Sequence, residues 1–264
     1  MPTPLERPHP STFRQRFLDG EVLLGSFIKT PTSHNCEILG LSGLDFVVID
    51  EEHAPFDRVA TDQALLGARA GGTAGIVRVA EASSSRLLAV LDDGAMGVLI
   101  PHVSSPEKAR DVVAACRYRK GKRGFSNSPR AGDYGAIGMW PHVDKQDAEV
   151  TVIGMIEDPE ALDCLYAILQ TEGLDGIFIG RGDLTVALGA KAIDAPEVMA
   201  AAEKIATAAR KYKKAVCMMV ASASEAEMFR KIGASAFIVS SDQGLMRQAA
   251  VKLTHDFSAL KNKD

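Results

Sequence analysis

Short apolar runs alternate with longer amphipathic segments through most of the chain. Several of the runs are apolar almost throughout, among them FVVID, GVLIP, GIFIG and AFIVS. Such runs are typical of parallel strands that are buried on both faces, and the amphipathic segments between them are typical of helices. The pattern predicts eight strands, at residues 25–29, 46–51, 75–80, 97–103, 151–157, 176–180, 215–220 and 236–240.

Capping signals support the predicted helices. Ser105 before Pro106 predicts the start of one helix, and Asp57 predicts the start of another. Ser222 or Ser224 can cap the segment EAEMFRKI. Glycines stand between a predicted helix and the next strand, where a left-handed cap is favoured; these are Gly43, Gly94, Gly173 and Gly233. Eight strand–helix units without a Gly-rich dinucleotide fingerprint after the first strand favour an α/β fold of the closed (β/α)8 TIM-type barrel over an open sheet.

Two segments fall outside the repeat. We predict that residues 9–19 form a short helix, capped by Ser11, that covers the floor of the barrel. Residues 118–148 form a long polar stretch whose basic residues suggest a flap facing an anion; these are Lys120, Lys122, Arg123 and Arg130. A solvated surface excursion explains this stretch equally well. We expect residues 1–264 to form one barrel domain, with residues 1–20 as an N-terminal extension and cap helix.

Composition and charge argue against several classes of protein. The 264 residues suffice for one barrel, and a hydrophobic fraction of 46% is ordinary for a globular chain. A net charge of −4 gives no reason to expect nucleic acid or an anionic membrane as a partner. The N-terminus lacks the apolar core of a secretory signal, and no apolar run approaches the roughly 20 residues that span a bilayer. The four cysteines form no CxxC pair and are expected to be reduced thiols, which with these features indicates a cytoplasmic protein.

Polar and titratable residues collect where the predicted strands end. In a barrel of this kind the active site lies at the C-terminal ends of the strands. The residues found there are Lys29, Asp50, Glu51, Glu52, His53, Arg78, His102, Glu157, Asp158 and Asp183. Their concentration at one rim predicts a catalytic mouth.

Glu157 and Asp183 follow consecutive predicted strands, so their side chains are expected to lie near each other. Two carboxylates with water completing an octahedron suit a hard cation such as Mg²⁺ or Mn²⁺. Singly, Glu157 is equally explained as an acid at a helix N-terminus and Asp183 as a helix cap. As a pair on adjacent strands, they favour a metal site.

His53 and Arg78 are the other candidates for chemistry at the mouth. His53 lies among carboxylates and titrates near neutrality, which suits a proton-transfer residue, although a structural histidine is the ordinary alternative. Arg78 lies in the apolar run GIVRVA, where a guanidinium requires an anionic partner. That partner is either the substrate or a buried carboxylate such as Asp50 or Glu52.

Asp92 and Asp93 end the predicted helix before the fourth strand. Acids at a helix C-terminus oppose the helix dipole. One of the two is therefore expected to have a compensating partner.

The order of these segments resembles that of the HpcH/HpaI-type class II pyruvate aldolases, which include 4-hydroxy-2-oxo-heptanedioate aldolase and 2-dehydro-3-deoxy-glucarate aldolase. The segments that carry the resemblance are FVVIDEEHAP (46–55), IVRVA (76–80), LLAVLDDGAMGVLIPHV (87–103), RYRKGKRGF (117–125), GMIEDPEAL (154–162) and EGLDGIFIGRGDLTVALG (172–189). Together they cover most of the chain from about residue 21 to 257. A series of this length is far more specific than any one motif.

The resemblance implies an architecture and a cofactor. It implies a phosphoenolpyruvate/pyruvate-type barrel with a swapped C-terminal helix, assembled as a homo-hexamer that is a trimer of dimers. It further implies that Glu157 and Asp183 hold a divalent metal, which is Mg²⁺, Mn²⁺ or Co²⁺.

The resemblance also implies catalytic roles. Arg78 resembles the residue that steadies the pyruvate carbonyl and the developing enolate. His53 resembles the acid/base residue, with Asp92 as its dyad partner, while Asp50 and Glu52 occupy the matching supporting positions.

The expected reaction is the reversible cleavage of a 4-hydroxy-2-oxo acid to pyruvate and an aldehyde through a metal-stabilised pyruvate enolate. Arg78 and the metal would bind the 2-oxo acid, and His53 would move the proton of the C4 hydroxyl. The backbone amides around Gly182 and Asp183 would bind the substrate carboxylate.

Three positions depart from the family pattern. Arg181 stands where the family often has proline, Met155 replaces a glutamine, and the loop after Arg123 reads FSNSPRAGDYG. These changes leave the predicted metal ligands and base in place. They bear on the identity of the substrate and of the aldehyde.

Four alternatives compete with this prediction. A Schiff-base aldolase would use Lys29, since no other lysine stands at a predicted strand end. A citrate-lyase-type CoA lyase would share the barrel and the acidic ligands, but Glu52-His53 argues against it. A non-catalytic barrel would be expected to lose one of the main candidates for chemistry, but all four are present: Arg78, His53, Glu157 and Asp183. Another enolate-forming lyase, such as a decarboxylase, uses the same machinery and is the second choice.

Overall fold

Eight parallel strands close into a barrel in the computed structural model, which describes residues 8–261. Each strand is hydrogen-bonded to the next, and the last strand pairs with the first. The strands are β1 Leu23–Ile28, β2 Phe46–Asp50, β3 Ala74–Arg78, β4 Gly97–Ile100, β5 Thr151–Ile156, β6 Gly176–Ile179, β7 Ala215–Val220 and β8 Ala236–Ser241. The predicted (β/α)8 barrel is confirmed, and the predicted strand ends differ from the observed ones by at most three residues.

Helices follow the strands around the barrel. They are α1 Phe13–Leu18, α2 Ser33–Leu41, α3 Arg58–Ala70, α4 Ser84–Asp92, α5 Pro106–Cys116, α6 Met139–Glu149, α7 Pro159–Asp163, α8 Leu165–Leu169, α9 Arg181–Ala187, α10 Pro196–Lys211, α11 Ala223–Ile232, α12 Asp242–Asp256 and α13 Ser258–Lys261. Two 3-10 helices cover Pro10–Thr12 and Arg130–Gly135.

The predicted caps of three helices are confirmed. The side chains of Asp57, Ser105 and Ser222 accept hydrogen bonds from the first turns of α3, α5 and α11. The four glycines before strands all have positive φ, and Gly233 is the left-handed cap of α11. Local signals therefore specified where these helices begin and end.

Alternate residues of each strand face the interior of the barrel. On β2, Phe46 and Val48 belong to the interior cluster, whereas Val47 and Ile49 pack outward against the helices. Asp50 comes two residues after Val48 and is fully buried. The same alternation runs along β3 and β5, so the last inward-facing position of a strand lies at the mouth.

Aromatic side chains of α1 close the floor of the barrel. Phe13 and Phe17 are buried, and the ring of Phe13 lies 5.3 Å from that of Phe46, measured between centroids. Phe17 packs against Gly176, where a Cβ atom would overlap its ring. The prediction of a short helix on the floor is therefore confirmed for the described residues, while residues 1–7 of the predicted extension lie outside them.

The predicted cap of this helix was wrong. Ser11 lies inside the 3-10 helix, and its N–H donates to the ring of His9, which is the residue before that helix. The main chain of His9 is extended, as a cap requires, and the 3-10 turn moves the start of the helical segment toward the N-terminus.

A buried ion cluster also stabilises the floor. Asp175 accepts hydrogen bonds from Arg14, at 2.7 Å, and from Arg117, at 2.9 Å. The N–H of Val152 donates to the same carboxylate. The cluster joins α1, the end of α5 and the start of β5 at the end of the barrel opposite the mouth.

The segment 118–148 lies in the connection from α5 to β5, which places it on the floor side. Its basic residues form structural pairs: Arg123 contacts Asp92 and Arg130 contacts Asp62. Arg123 is fully buried, and Lys120 is largely exposed. The interpretation of these basic residues as an anion-facing flap was therefore wrong, because Arg123 and Arg130 face acids of the chain itself, at the end of the barrel opposite the mouth.

The C-terminal helix α12 lies almost free of the barrel. Only its first residue, Asp242, is buried, and the side chains of Met246, Val251 and Leu253 are all more than half exposed. Asp242 anchors the start of the helix by accepting hydrogen bonds from the N–H groups of Lys29 and Thr30. The helix therefore begins on the barrel and then leaves it with an apolar surface uncovered.

No helix within residues 8–261 has the length and apolar character needed to cross a membrane. All four cysteines are unpaired, as predicted, and burial raises the pKa of Cys36 and Cys116 to about 12.

Candidate active site

Charged side chains form the top layer of the barrel interior. Each comes two residues after an apolar interior residue of its strand; they are Lys29, Asp50, Arg78 and Glu157. Lys29 and Arg78 border a cavity of about 550 Å³ at the mouth, which Arg181, Gly182 and Asp183 also line. Three of the predicted rim residues, Lys29, Arg78 and Asp183, thus border one cavity.

Arg78 is fixed by two carboxylates of β2 and the loop after it. Its guanidinium makes a bidentate pair with Asp50, at 2.9 and 2.7 Å, and approaches Glu52 at 3.3 Å. The register of the two strands sets Asp50 directly beside Arg78. The buried salt bridge that the sequence offered as one explanation of Arg78 is therefore real, and Arg78 still borders the cavity.

Asp50 binds two cationic side chains at the mouth. Besides Arg78 it binds Lys29, whose Nζ lies 2.9 Å away, and the N–H of His53 at 3.1 Å. Burial would raise the pKa of Asp50, but the hydrogen bonds from Arg78 and Lys29 outweigh it and lower the pKa to about 2. Asp50 is therefore ionised at any physiological pH and supports the residues around it.

His53 is exposed on the loop after β2. Its Nε2 lies 3.6 Å from Glu52, so the chain itself places this carboxylate beside the imidazole. More than half of the His53 side chain is open to solvent. The structure thus brings His53, Glu52 and Arg78 to the same side of the mouth.

Asp92 has a different partner from the one predicted. It is the last residue of α4, and its carboxylate accepts a hydrogen bond from Arg123 at 3.1 Å. This contact compensates an acid at a helix C-terminus, as expected for one of the two aspartates. Within the chain the structure does not bring Asp92 to His53, because the end of α4 precedes β4 whereas His53 follows β2 at the mouth.

Glu157 is buried with one oxygen free. Its Oε1 accepts the main-chain N–H of His102 at 2.8 Å, while its Oε2 is buried without a hydrogen-bond partner. Burial, together with the negative charges of Asp183 and Glu52, raises the pKa of Glu157 to about 7 against the opposing effect of His102. A buried carboxylate oxygen without a protein partner leaves a place for a bound ion or water at this position.

Asp183 lies in the first turn of α9 and is exposed to the mouth. No side chain caps the start of this helix, and a Cβ atom at Gly182 would meet open space. The N–H groups of Gly182 and Asp183 belong to the first helical turn, where they have no partner within the helix. This end of α9 therefore offers unpaired donors next to a carboxylate.

A family model described as HpcH/HpaI aldolase/citrate lyase matches residues 23–249. The chain belongs to this family. The predicted resemblance and the predicted class of enzyme, a carbon–carbon lyase of the aldolase type, are confirmed.

Several relatives agree with this assignment. A 5-keto-4-deoxy-D-glucarate aldolase from Klebsiella pneumoniae subsp. pneumoniae is 31% identical over 94% of this chain and 97% of its own length. A crystal structure of an HpcH/HpaI aldolase/citrate lyase family protein from Burkholderia cenocepacia has a TM-score of 0.88 and 26% identity, over 94% of this chain and 99% of the other. The citrate synthase SbnG has a TM-score of 0.83 and 27% identity, over 96% and 99% of the two chains.

The donor set of this HpcH/HpaI protein fits a divalent cation. HpcH/HpaI aldolases generally depend on a divalent metal. Within the described residues no three His, Cys, Asp or Glu side chains are grouped to hold a metal. The free Oε2 of Glu157 and the exposed carboxylate of Asp183 are hard oxygen ligands, which Mg²⁺ accepts together with water.

Arg181, a departure from the family pattern, has a structural role. It is buried, donates to Glu225 at 2.6 Å and to the carbonyl of Met219 at 3.0 Å, and lies over the ring of Phe229. These contacts tie the start of α9 to β7 and α11. Arg181 therefore anchors the helix that carries Gly182 and Asp183.

Sequence reasoning assigned no role to His102, although it found the residue near the end of the fourth strand. The residue follows β4, and its ring Nδ1 lies 3.0 Å from Asp158. The only sequence signal was a histidine shortly after a strand end, the same signal that selected His53. Its hydrogen bond to Glu157 is donated by the main-chain N–H, which no side-chain pattern reveals, and its ring Nδ1 lies 3.5 Å from the same oxygen.

Proposed function

We propose that this chain is a divalent-metal-dependent aldolase that cleaves 4-hydroxy-2-oxo acids reversibly to pyruvate and an aldehyde. The observation that carries the proposal is the buried, unpaired oxygen of Glu157 at the mouth of a barrel of the aldolase family. Most buried polar atoms of a folded protein have a hydrogen-bond partner, so an unpaired carboxylate oxygen at the mouth supports a ligand there. We further place the enzyme in the cytoplasm, where four unpaired thiols stay reduced.

Glu157 and Asp183 would hold the metal, which we take to be Mg²⁺, Mn²⁺ or Co²⁺. When bound there, the metal would supply Lewis-acid stabilisation for the charge that develops on the 2-oxo acid. The electrostatic effect of Asp183 on Glu157 supports their acting as a pair.

Arg78 would bind the ketone oxygen of the substrate. A guanidinium has five N–H donors, and its pairs with Asp50 and Glu52 occupy about three of them. The remaining donors are held in a fixed orientation by those same pairs. Arg78 therefore stabilises the negative charge on this oxygen as the enolate forms, at no further cost of reorganisation.

His53 would take the proton of the C4 hydroxyl. As that proton leaves, the hydroxyl oxygen becomes the carbonyl of the aldehyde, the C3–C4 bond breaks, and its electron pair becomes the enolate of pyruvate. A proton returned to C3 completes pyruvate. The carboxylate of Glu52 lies 3.6 Å from Nε2 of this imidazole, close enough to orient it toward the substrate. The role proposed for Asp92 has no support within the chain and stays a prediction.

The unpaired N–H groups of Gly182 and Asp183 would bind the substrate carboxylate. They open α9, and Arg181 fixes that end of the helix through Glu225. The position puts the carboxylate beside the proposed metal ligand Asp183. The first substrate to test is 5-keto-4-deoxy-D-glucarate, which the name of the Klebsiella relative indicates.

The test is the release of pyruvate from a panel of 4-hydroxy-2-oxo acids that includes this compound. We expect EDTA to stop the release and added Mn²⁺ or Mg²⁺ to restore it. Asp183→Asn should abolish metal-dependent release with the fold intact, whereas Asp194→Asn, an exposed acid on the loop after α9, should leave it unchanged. Release that persists in EDTA would point to Lys29 chemistry, and no release from any substrate would favour another enolate-forming lyase.

We also propose that the chain forms a homo-oligomer, a hexamer built from three dimers, in which α12 packs on a neighbouring subunit. The uncovered apolar side chains of α12 support this packing between subunits. Ile38 and Leu41 of α2, which are more than half exposed, support it as well. In a (β/α)8 barrel the last helix normally covers the first one, so the space left over α2 suits the same helix from a second copy.

Light scattering on the full chain tests this assembly. The double change Leu253→Asp and Phe257→Asp should reduce the mass from that of a hexamer, because it places charges on the apolar surface of α12. The matched control is Leu66→Asp, at an exposed position on α3, which should leave the mass of the assembly unchanged. A monomeric mass for the unaltered protein would refute the proposal.

A further inference from the structure

The backbone at His102 has an uncommon conformation. The residue follows Pro101 at the end of β4, and its φ of 55° lies in the left-handed region. Residues with a side chain rarely adopt this region, and glycine and asparagine do so most readily. A histidine held there indicates that the surrounding structure imposes the conformation.

This conformation directs the main-chain N–H of His102 at Glu157. The N–H donates to Oε1 of the buried carboxylate at 2.8 Å, and Oε2 is left without a partner. One oxygen of Glu157 is thereby fixed while the other stays available. A carboxylate free to rotate would offer its two oxygens interchangeably, so the contact orients the group.

The side chain of His102 holds the backbone in place. Its Nδ1 lies 3.0 Å from Asp158, the residue next to Glu157, and 3.5 Å from Oε1 of Glu157 itself, while its Nε2 lies 3.8 Å from Glu52. The ring is about half exposed, so it is not held by packing. The imidazole and the main-chain N–H therefore join the end of β4 to the end of β5 at two adjacent points.

We propose that His102 is a positioning residue: its left-handed main chain orients Glu157 so that Oε2 remains free for the divalent cation. The inference rests on the proposed metal site. It assigns the function to the N–H of His102, while the imidazole serves only to keep the backbone in the required conformation. A group that orients a metal ligand in this way commonly changes metal affinity by 10- to 100-fold, on the order of that seen for other outer-shell contacts.

A series of substitutions at His102 separates the main chain from the ring. His102→Gly and His102→Asn remove the imidazole but accept a left-handed backbone, whereas His102→Val disfavours it because its side chain is β-branched. Mn²⁺ binding to the full-length protein is measured through the paramagnetic resonance signal of the free ion. We expect the dissociation constants of the glycine and asparagine variants to stay within about 3-fold of the original and that of the valine variant to rise about 10- to 100-fold.

Lys213 offers a matched control. It also has a left-handed backbone, with φ of 54°, but it precedes β7 on the floor side of the barrel. Lys213→Val should introduce the same backbone conflict and lower the melting temperature without changing Mn²⁺ affinity. Comparing Lys213→Val with His102→Val separates the change in Mn²⁺ affinity from general destabilisation of the fold. If His102→Val does not fold, His102→Ala takes its place.

Three outcomes decide the matter. If the original protein does not bind Mn²⁺, the metal-site proposal fails before the inference is reached. If it binds but the glycine and asparagine variants lose affinity as far as the valine variant does, the imidazole itself is required and the inference is wrong. If the valine and alanine variants both bind as tightly as the original, the orientation of Glu157 does not depend on His102 and the inference is equally wrong.

Discussion

Arg78 illustrates how a single charge is accommodated inside an apolar strand. Its neighbours Val77 and Val79 point outward into the hydrophobic layer, so the guanidinium faces the barrel interior at the level of the mouth. There Asp50 and Glu52 neutralise it. Removing Asp50 would break the bidentate pair and leave the buried guanidinium with Glu52 alone, which makes Asp50 and Arg78 a fixed part of the site.

Replacing this arginine by lysine tests its geometry separately from its charge. Arg78→Lys keeps the positive charge but cannot make the bidentate pair and still present donors to the substrate. We expect kcat to fall about 10²- to 10³-fold, as for the loss of one preorganised donor, with a smaller effect on KM. Steady-state kinetics of pyruvate release measure both constants.

Arg117→Lys is the matched control for that prediction. Arg117 is another buried arginine paired with an aspartate, but it lies at the floor with Asp175. Its loss should lower the stability by about 1–3 kcal/mol and leave kcat unchanged. Equal losses of kcat in both variants would mean that Arg78 acts only through the fold.

At this scale the sequence predicted the mouth residues better than their partners. Their positions at the ends of predicted strands were enough to place Asp50, Arg78 and Glu157 at the same rim. It could not assign Asp92, because the buried Arg123 that binds it comes from the irregular connection between α5 and β5. It also could not find the contact of His102 with Glu157, since that bond depends on a backbone dihedral angle.

At the scale of elements, strands and capped helices followed closely from local signals. All eight strands were predicted, because buried parallel strands are continuous apolar runs of about the same length. The connection 118–148 was misinterpreted, because its charge pattern does not reveal whether the basic groups face a ligand or acids such as Asp62 and Asp92. Its place on the floor side does follow from the strand order, since it joins a helix to the next strand.

The α1 helix contributes to stability through the floor of the barrel. Phe17 is fully buried against Gly176, so Phe17→Ala should leave a cavity and lower the free energy of unfolding by about 3–5 kcal/mol. The kcat of the folded protein should not change, because the aliphatic interior separates the floor from the mouth. Urea unfolding measures the change in the free energy of unfolding, and steady-state kinetics on the same preparation measure kcat. Leu18→Ala, at an exposed position, is the control.

A loss of kcat in Phe17→Ala would contradict the independence of floor and mouth. A change in the free energy of unfolding below about 1 kcal/mol would contradict the closing role of α1.

At the scale of the whole molecule, metal binding and folding should be linked. A cation that binds only the folded state stabilises it by RT ln(1 + [L]/Kd), which is about 2.7 kcal/mol at a concentration 100 times Kd. For a chain of this size that corresponds to a rise in melting temperature of roughly 5–10 °C. Calorimetry of the EDTA-treated protein with and without Mn²⁺ measures the rise.

The same experiment on Asp183→Asn is its control. That variant should melt near the temperature of the metal-free protein whether or not Mn²⁺ is added. A metal-induced rise that survives the substitution would locate the stabilising cation elsewhere in the molecule.

The barrel interior is apolar from the floor up to Phe27 and Phe178, which border the mouth cavity, and its last layer consists mostly of charged or small residues. The final layer takes a single residue from most strands, and none of these is required to fill the hydrophobic core; the layer comprises Lys29, Asp50, Arg78, Glu157, Gly180, Met219 and Ser240. Chemistry and fold are therefore encoded by separate positions of the same strands. A combinatorial library that varies this layer, with Asp50 and Arg78 exchanged only as a pair, could diversify the reaction over an unchanged apolar core.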